Sequence, residues 1–317
     1  MAQPSITVEQ FFKDHGVALE MRLLSDGVDL NRIIREPTVN RPGLALSGFT
    51  QYFAYKRVQV FGNAEVYYLR SLTHEQREAR YAYLFAYKIP CVIFSRGLKP
   101  DKEFLAAAQN AGVPVFQSPL VTMNFINNAT LKLESMFAPR GSEIGSMVDI
   151  LGVGVIIKGE SGIGKSEAVL ALIERGYSLV SDDVTKVTLV GGRQVIGNSG
   201  ELTRNHMEIR GIGIINVAAM FGIKSIRRDK ALNLIVTLKQ WDEVADVERL
   251  GMEQEFINVL GVDIPHITIP VRPGRDLARL IEVAAYQTKL KLSGHNAAQE
   301  LNERLIAQMN PGGTPAA

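Results

Sequence analysis

The chain has one cysteine in 317 residues, so it cannot close an internal disulfide. That cysteine, Cys91, precedes Val92, Ile93 and Phe94, a context that suits a core residue better than a catalytic thiol. Net charge is also scarce. Lys and Arg number 35 against 33 Asp and Glu, a formal charge of +2. This gives no global attraction to nucleic acid or to an anionic membrane, and neither partner is expected. No apolar run is long enough to span a bilayer. The opening "MAQPSITVEQFFKDHG" lacks a basic start followed by an apolar core, so it does not read as a secretory signal. There is no internal repeat. The one low-complexity tract is the ending "MNPGGTPAA", expected to be disordered from about residue 309. These features suit a cytoplasmic protein.

The length suggests two domains. In the first, residues 1–130, strand-like and helix-like pieces alternate. "RPGLALSGF" and "RVQVFGNAEVYYLRSL" surround turn residues, "PCVIFSRG" reads as a strand, "DKEFLAAAQNAG" as a helix ending at Gly112, and "VPVFQS" as the next strand. This is an α/β unit with no glycine-rich phosphate loop and no cluster of metal ligands. "VTMNFINNATLKLESMFAPRGS" reads as a helix that breaks near Pro139, and the domain boundary is placed at about residue 130, in or before it. The second domain, 131–317, is α/β as well, with strands "VGVIIKG", "YSLVSDD", "ALNLIVTL" and "PHITIPV" and a long C-terminal helix from about Asp276.

The informative stretch of that domain is "GESGIGKSE". Gly159 is followed by four residues (Glu160, Ser161, Gly162, Ile163) and then by Gly164, Lys165 and Ser166, which is the P-loop spacing in full. Glycines let backbone N–H groups converge on phosphate oxygens. Lys165 would place a charge on the β/γ oxygens, and Ser166 would offer a hydroxyl to Mg²⁺. The apolar run Val153–Gly159 before the loop reads as a buried strand, and "SEAVLALIERG" after it as a helix stopped by Gly176. Strand, loop and helix is the context the motif needs. The plain alternative is a glycine turn with a solvated lysine.

A P-loop alone leaves ATPase, GTPase and kinase open. "YSLVSDDV" puts Asp182 and Asp183 at the carboxyl end of a strand, where α/β sheets bind ligands. One carboxylate would suit Mg²⁺ and the other a base, or the pair simply caps a turn. In "HMEIRGIGIINV", Glu208 and Arg210 flank a glycine hinge that could close over a charged group. Arg272 and Arg275 bracket Pro273-Gly274 just ahead of a helix, and this basic turn is either a phosphate cradle or a solvated loop.

Taken together and in order, "GESGIGKSE", "SDD", "MEIRGIGIINV", "ERLGMEQEFINVLGVDIPHITIPVRPGR" and "RPGRDLARLIEVAA" resemble the HPr kinase/phosphorylase family across nearly all of residues 131–300. The first domain is similar more loosely, through "NRPGLALSGF", its length and its α/β character. The resemblance implies an N-terminal α/β domain joined to a P-loop kinase domain. It implies an enzyme that uses ATP, or pyrophosphate, with Mg²⁺ to phosphorylate a serine of the phosphocarrier HPr or an HPr-like carrier. The same enzyme removes that phosphate by phosphorolysis, making pyrophosphate, and family members are hexamers. Residue by residue, the resemblance assigns Gly159 to Ser166 to the nucleotide phosphates and Ser166 and Glu208 to Mg²⁺. Lys165, Asp183 and Arg249 are its catalytic residues, with Asp183 taking and returning the serine proton. The run Met207, Glu208, Ile209, Arg210, Gly211, Ile212, Gly213, Ile214, Ile215, Asn216 matches a segment needed for both reactions. Pro270, Val271, Arg272, Pro273, Gly274, Arg275 matches one needed chiefly for dephosphorylation. One departure stands out. The family usually has His-Gly shortly before the P-loop strand, and here Ile144 precedes Gly145. Isoleucine can neither carry charge nor accept a proton, so a bias toward the kinase direction is expected. Two other readings remain: a kinase of a different hydroxyl, and a regulatory module that senses nucleotide without efficient transfer.

Overall fold

In the computed structural model, which describes residues 5–243 and 254–295 together with Gln299, Glu300, Arg304 and Gln308, the chain divides into two compact units, one up to Ala138 and one from Pro139 on.

Short apolar runs build the sheet of the first unit. Val39–Asn40, Val58–Phe61, Val92–Phe94 and Val115–Gln117 lie parallel in that spatial order, and Arg22–Leu23 adds an antiparallel edge. Side chains alternate across a strand, so each run feeds two cores. Val60, Ile93 and Phe116 face one core with Phe125, Ala129 and Leu133 of the helix Thr122–Phe137. Phe61, Val92, Phe94 and Val115 face the other, with Tyr81 and Phe104. The expected boundary near residue 130 falls inside the Thr122–Phe137 helix. The division comes after that helix because its apolar face is buried in the first unit. Cys91 is fully buried, and burial pushes its thiol up to about 12, as befits a core residue. The helix His74–Ala86 was not among the expected segments. Its start carries a readable signal, since Thr73 and Gln76 form a reciprocal capping box.

The second unit is built on a nine-stranded sheet. The P-loop strand Val153–Gly159 runs parallel to Asp229–Gln240 and antiparallel to Ser146–Ile150, and the latter pairs with Ser178–Ser181. Asp229–Gln240 is long enough to serve two further neighbours. Its second half pairs with Val262–Val271, and its first residues pair with Gln194–Asn198, which leads to Val184–Val190 and Arg140–Ile144. The central strand carries Val155 and Ile157 toward one face and Ile156 toward the other, the double burial expected of an apolar run in the middle of a sheet. The helices Lys165–Glu174 and Leu277–Leu292 pack on the Val155/Ile157 face. Arg175 ties them together, 2.6 Å from Asp276 and 3.2 Å from the buried Glu282. No helix among the described residues is long and apolar enough to cross a membrane.

Candidate active site

The loop after Val153–Gly159 turns through two positive-φ glycines, Gly162 at 88° and Gly164 at 100°. A side chain at Gly162 would come within 2.9 Å of the Arg210 guanidinium, which can shift aside, so it is the positive φ that favours glycine here. Gly164 caps the helix Lys165–Glu174, whose first turn holds Lys165 and Ser166. The helix N-terminus therefore opens at the loop, with N–H groups free to receive an anion. Lys165 folds over this cradle. Its Nζ donates to the Gly159 carbonyl at 2.9 Å and the Glu160 carbonyl at 3.0 Å.

The acidic pair sits on a pinned turn. Asp183 has φ 54°, unusual for a residue with a side chain. The turn is held because the Gly145 N–H donates to the Asp183 carbonyl at 2.7 Å and the Val184 N–H to the Asp182 carbonyl at 2.6 Å. The two carboxylates separate in role. Asp183 is exposed and faces the cradle. Asp182 is largely withdrawn. Its Oδ1 accepts from Ser146 Oγ at 2.8 Å and its Oδ2 from the Glu208 N–H at 3.0 Å. Burial holds the Asp182 carboxyl above its ordinary value, against the lowering by these two hydrogen bonds.

The third component is a hairpin. His206–Ile209 pairs antiparallel with Gly213–Asn216, with Glu208 opposite Ile214. Met207 and Ile209 are buried, and the two-residue strand period puts Glu208 and Arg210 on the other face. Arg210 Nη2 reaches Ser161 Oγ on the loop, so the hairpin tip closes onto the P-loop.

One cavity of about 130 Å³ is lined by Ser161, Gly162, Gly164, Lys165, Ser166, Glu167, Asp183, Glu208 and Arg210. Seven charged or hydroxyl-bearing side chains, Ser161 and Glu167 among them, converge there from three separated segments. Ser166, Asp183 and Glu208 supply oxygen donors only, the set that suits a hard divalent cation sharing its shell with phosphates and water. No cluster of three or more His, Cys, Asp or Glu able to hold a metal alone occurs among the described residues.

Arg272 and Arg275 do not line this cavity. They bracket a tight turn in which the Arg275 N–H donates to the Arg272 carbonyl at 3.2 Å and Gly274 takes φ 83°. Pro then Gly at the two central positions is the signature of a type II turn. The Arg272 guanidinium lies 3.7 Å from the centre of the Trp241 ring, and Arg275 Nη1 donates to the Pro270 carbonyl at 3.1 Å. The turn leads directly to Leu277, and a side chain added at Gly164 would meet Leu277 Cδ1 at 3.4 Å, so the helix that follows the turn starts beside the P-loop. Arg249 lies outside the described residues. Two contributors escaped the reading of the sequence. Ser146 braces both aspartates, and it lies in a strand that carried no distinctive signal. Trp241 stacks on Arg272 and lies far from any motif.

Ile144 ends the strand Arg140–Ile144, is 79% exposed, and stands opposite Val184 in the antiparallel ladder. The side chain at this position therefore flanks the Asp183 turn.

Family models describe most of the chain. Residues 6–133 match "HPr Serine kinase N terminus" and residues 135–305 match "HPr Serine kinase C-terminal domain". A protein of Geobacter sulfurreducens named HPr kinase/phosphorylase is 41% identical over 305 residues, 96% of each chain. One of Leptospira biflexa with the same name is 39% identical over 307 residues, 96% of this chain and 95% of that one. Among solved structures, the Hpr(Ser) kinase/phosphatase of Coxiella burnetii matches at 32% identity with a TM-score of 0.47, over 51% of this chain and 99% of the other.

Proposed function

This chain belongs to the HPr serine kinase family, and on that premise we propose that it phosphorylates a serine of the phosphocarrier HPr, or of an HPr-like carrier, with ATP and reverses the reaction by phosphorolysis. The observation that carries this reading is the single cavity shared by Lys165, Ser166, Asp183, Glu208 and Arg210. A phosphoryl-transfer site needs a phosphate cradle, cationic stabilisation and a group to manage the acceptor proton, and these residues supply all three.

In the forward direction the serine Oγ attacks the γ-phosphorus. Its proton passes to the Asp183 carboxylate, and the bond to the β–γ bridging oxygen breaks to leave ADP. In reverse an oxygen of inorganic phosphate attacks the phosphoserine phosphorus. The departing Oγ takes the proton back from Asp183, and pyrophosphate is released. Lys165 and Arg210 counter the charge that builds on the phosphoryl oxygens, which fixed cations do without reorganising. Lys165 reaches this position by exchanging its two loop carbonyls for phosphate oxygens. Ser166 and Glu208 would hold Mg²⁺, which supplies charge neutralisation to the nucleotide phosphates when bound. Arg249 is carried over from the family as a further catalytic arginine. Arg272 and Arg275 would hold the attacking phosphate. Pyrophosphate is an alternative donor, a hexamer is the expected assembly, and the cytoplasm the expected location.

Ile144 tilts the balance. It occupies the flank of the Asp183 turn with a side chain that cannot ionise, while Asp183 itself is retained for the forward proton transfer. We therefore assign a kinase-biased enzyme.

The deciding experiment incubates the purified protein with Mg²⁺, γ-labelled ATP and an HPr carrier, beside the same carrier with its acceptor serine replaced by alanine. Label on the first carrier alone, released as pyrophosphate when phosphate is added, is the expected result. Tight ATP binding with no label on any carrier would instead make the chain a nucleotide sensor.

A further inference from the structure

The first unit contains a cavity of about 350 Å³ that the phosphoryl-transfer reading does not use. Its floor is aromatic. Tyr81, Phe94 and Phe104 are each at most 2% exposed and meet edge to face, Tyr81 with Phe104 at 5.0 Å and Phe94 with Phe104 at 5.2 Å. Three cations stand around this floor: Arg70, Arg77 and Lys99. Arg70 leans over the Tyr67 ring at 5.5 Å, and neither it nor Lys99 has an ion-pair partner among the described residues. Arg77 has an ion-pair partner in Glu103, but its guanidinium is only partly satisfied. Its Nε is shielded from solvent and has no acceptor, and its carboxylate neighbour Glu103 is 3.6 Å away, beyond hydrogen-bond reach.

The one acid lining the cavity is already engaged. Asp101 accepts the Phe104 N–H through Oδ1 and the Tyr81 hydroxyl through Oδ2, both at 2.7 Å. It fixes a helix start and holds the phenol protonated, and burial with this bond pushes the Tyr81 pKa upward. A buried guanidinium nitrogen without an acceptor is costly, and native structures seldom keep one without a purpose. A cavity of this size, apolar below and with few convergent polar groups above, has the make-up of a small-molecule site.

We propose that this cavity binds a small organic anion, a phosphate or carboxylate head carried on a flat apolar body. The head would lie among Arg77, Arg70 and Lys99, and the flat body against Phe94 and Phe104. A slight turn of the Arg77 side chain would give its guanidinium the acceptor it lacks.

The test is calorimetric titration of the full chain with phenyl phosphate, inorganic phosphate and benzyl alcohol. Phenyl phosphate should saturate one site per chain with a dissociation constant below about 1 mM, and the other two probes should bind at least roughly tenfold more weakly. Arg77→Gln should weaken phenyl phosphate about tenfold, the effect of one charged hydrogen bond. Lys99→Glu, at an exposed position that puts folding at little risk, should weaken it as well. Lys165→Ala should leave it unchanged, which separates this cavity from the phosphate cradle. The proposal is overturned if no saturable binding occurs up to about 10 mM. It is equally overturned if inorganic phosphate or benzyl alcohol binds as well as phenyl phosphate. Loss of binding in Lys165→Ala with retention in Lys99→Glu would also overturn it.

Discussion

Asp182 accepts the backbone N–H of Glu208 at 3.0 Å, and this bond joins the acidic turn to the hairpin that carries the proposed metal ligand. Ser146 Oγ donates to the other oxygen at 2.8 Å. Asp182 is thus a positioning residue, and Asp183 is the carboxylate left facing the cavity. Removing Asp182 as alanine strands two donors, at about 1–3 kcal/mol for each that stays buried. The milder Asp182→Asn tests the charge. Because burial raises the folded-state pKa of Asp182, its protonated form favours the fold. That contribution is complete below the ordinary carboxylate range and is lost as pH rises through the raised value. The wild type should therefore gain most over Asp182→Asn in acid, with the gap in melting temperature shrinking toward neutral pH. A gap that widens with pH would refute the assignment.

Lys165→Ala should reduce transfer by about a hundredfold or more, since a fixed cation at the developing charge is lost. Steady-state kinetics with the carrier would measure it, and near-normal turnover would remove Lys165 from the mechanism.

Much of this site was legible before any coordinates, for a physical reason. The loop after Val153–Gly159 is a local structure whose backbone takes positive φ at Gly162 and Gly164, so its glycine spacing is written in the sequence. The segment around Glu208 and Arg210 was legible only as a glycine hinge; its hairpin form, with Met207 and Ile209 buried, comes from the pairing of two strands. What could not be read depends on pairing between distant segments. Nothing near Ser146 signals that it braces Asp182, because the partnership arises only when its strand lies beside Ser178–Ser181. The same holds for Trp241 and Arg272, and for the cationic cavity of the first unit, whose residues come from separate helices and loops.

Glu208→Gln keeps the side chain's size and removes its charge. The Mg²⁺ concentration giving half-maximal rate should rise roughly tenfold or more, the scale on which metal-site substitutions act. An unmoved Mg²⁺ titration would exclude Glu208 as a ligand, whether direct or through water.

Asp183→Asn cannot accept a proton at neutral pH, and general-base loss costs typically about a hundredfold to ten-thousandfold. Both directions should fall by similar factors, because one carboxylate serves both, while nucleotide binding persists. If the forward rate alone collapsed, another group would have to return the proton in reverse.

The two halves of the reverse reaction can be separated through Arg272 and Ile144. Arg272 is stacked on Trp241 at 3.7 Å, which holds its guanidinium outside the cavity lined by Lys165 and Asp183. If the Arg272–Arg275 turn holds attacking phosphate, Arg272→Ala should lower phosphorolysis by about tenfold to a hundredfold, the value of a lost charged hydrogen bond, and leave the kinase rate nearly intact. Trp241→Ala should do the same to a smaller degree by freeing the guanidinium. Ile144→His acts on the other half. It places an ionisable ring at an exposed position opposite Val184, beside the Asp183 turn, without disturbing a buried contact. The ratio of phosphorolysis to kinase rate should rise, and the gain should follow the titration of a histidine near neutral pH. In the double variant with Arg272→Ala the gain should shrink, because a proton relay cannot help a phosphate that is no longer held. A wild type with equal rates in both directions, unaltered by Ile144→His, would show that the isoleucine sets no bias.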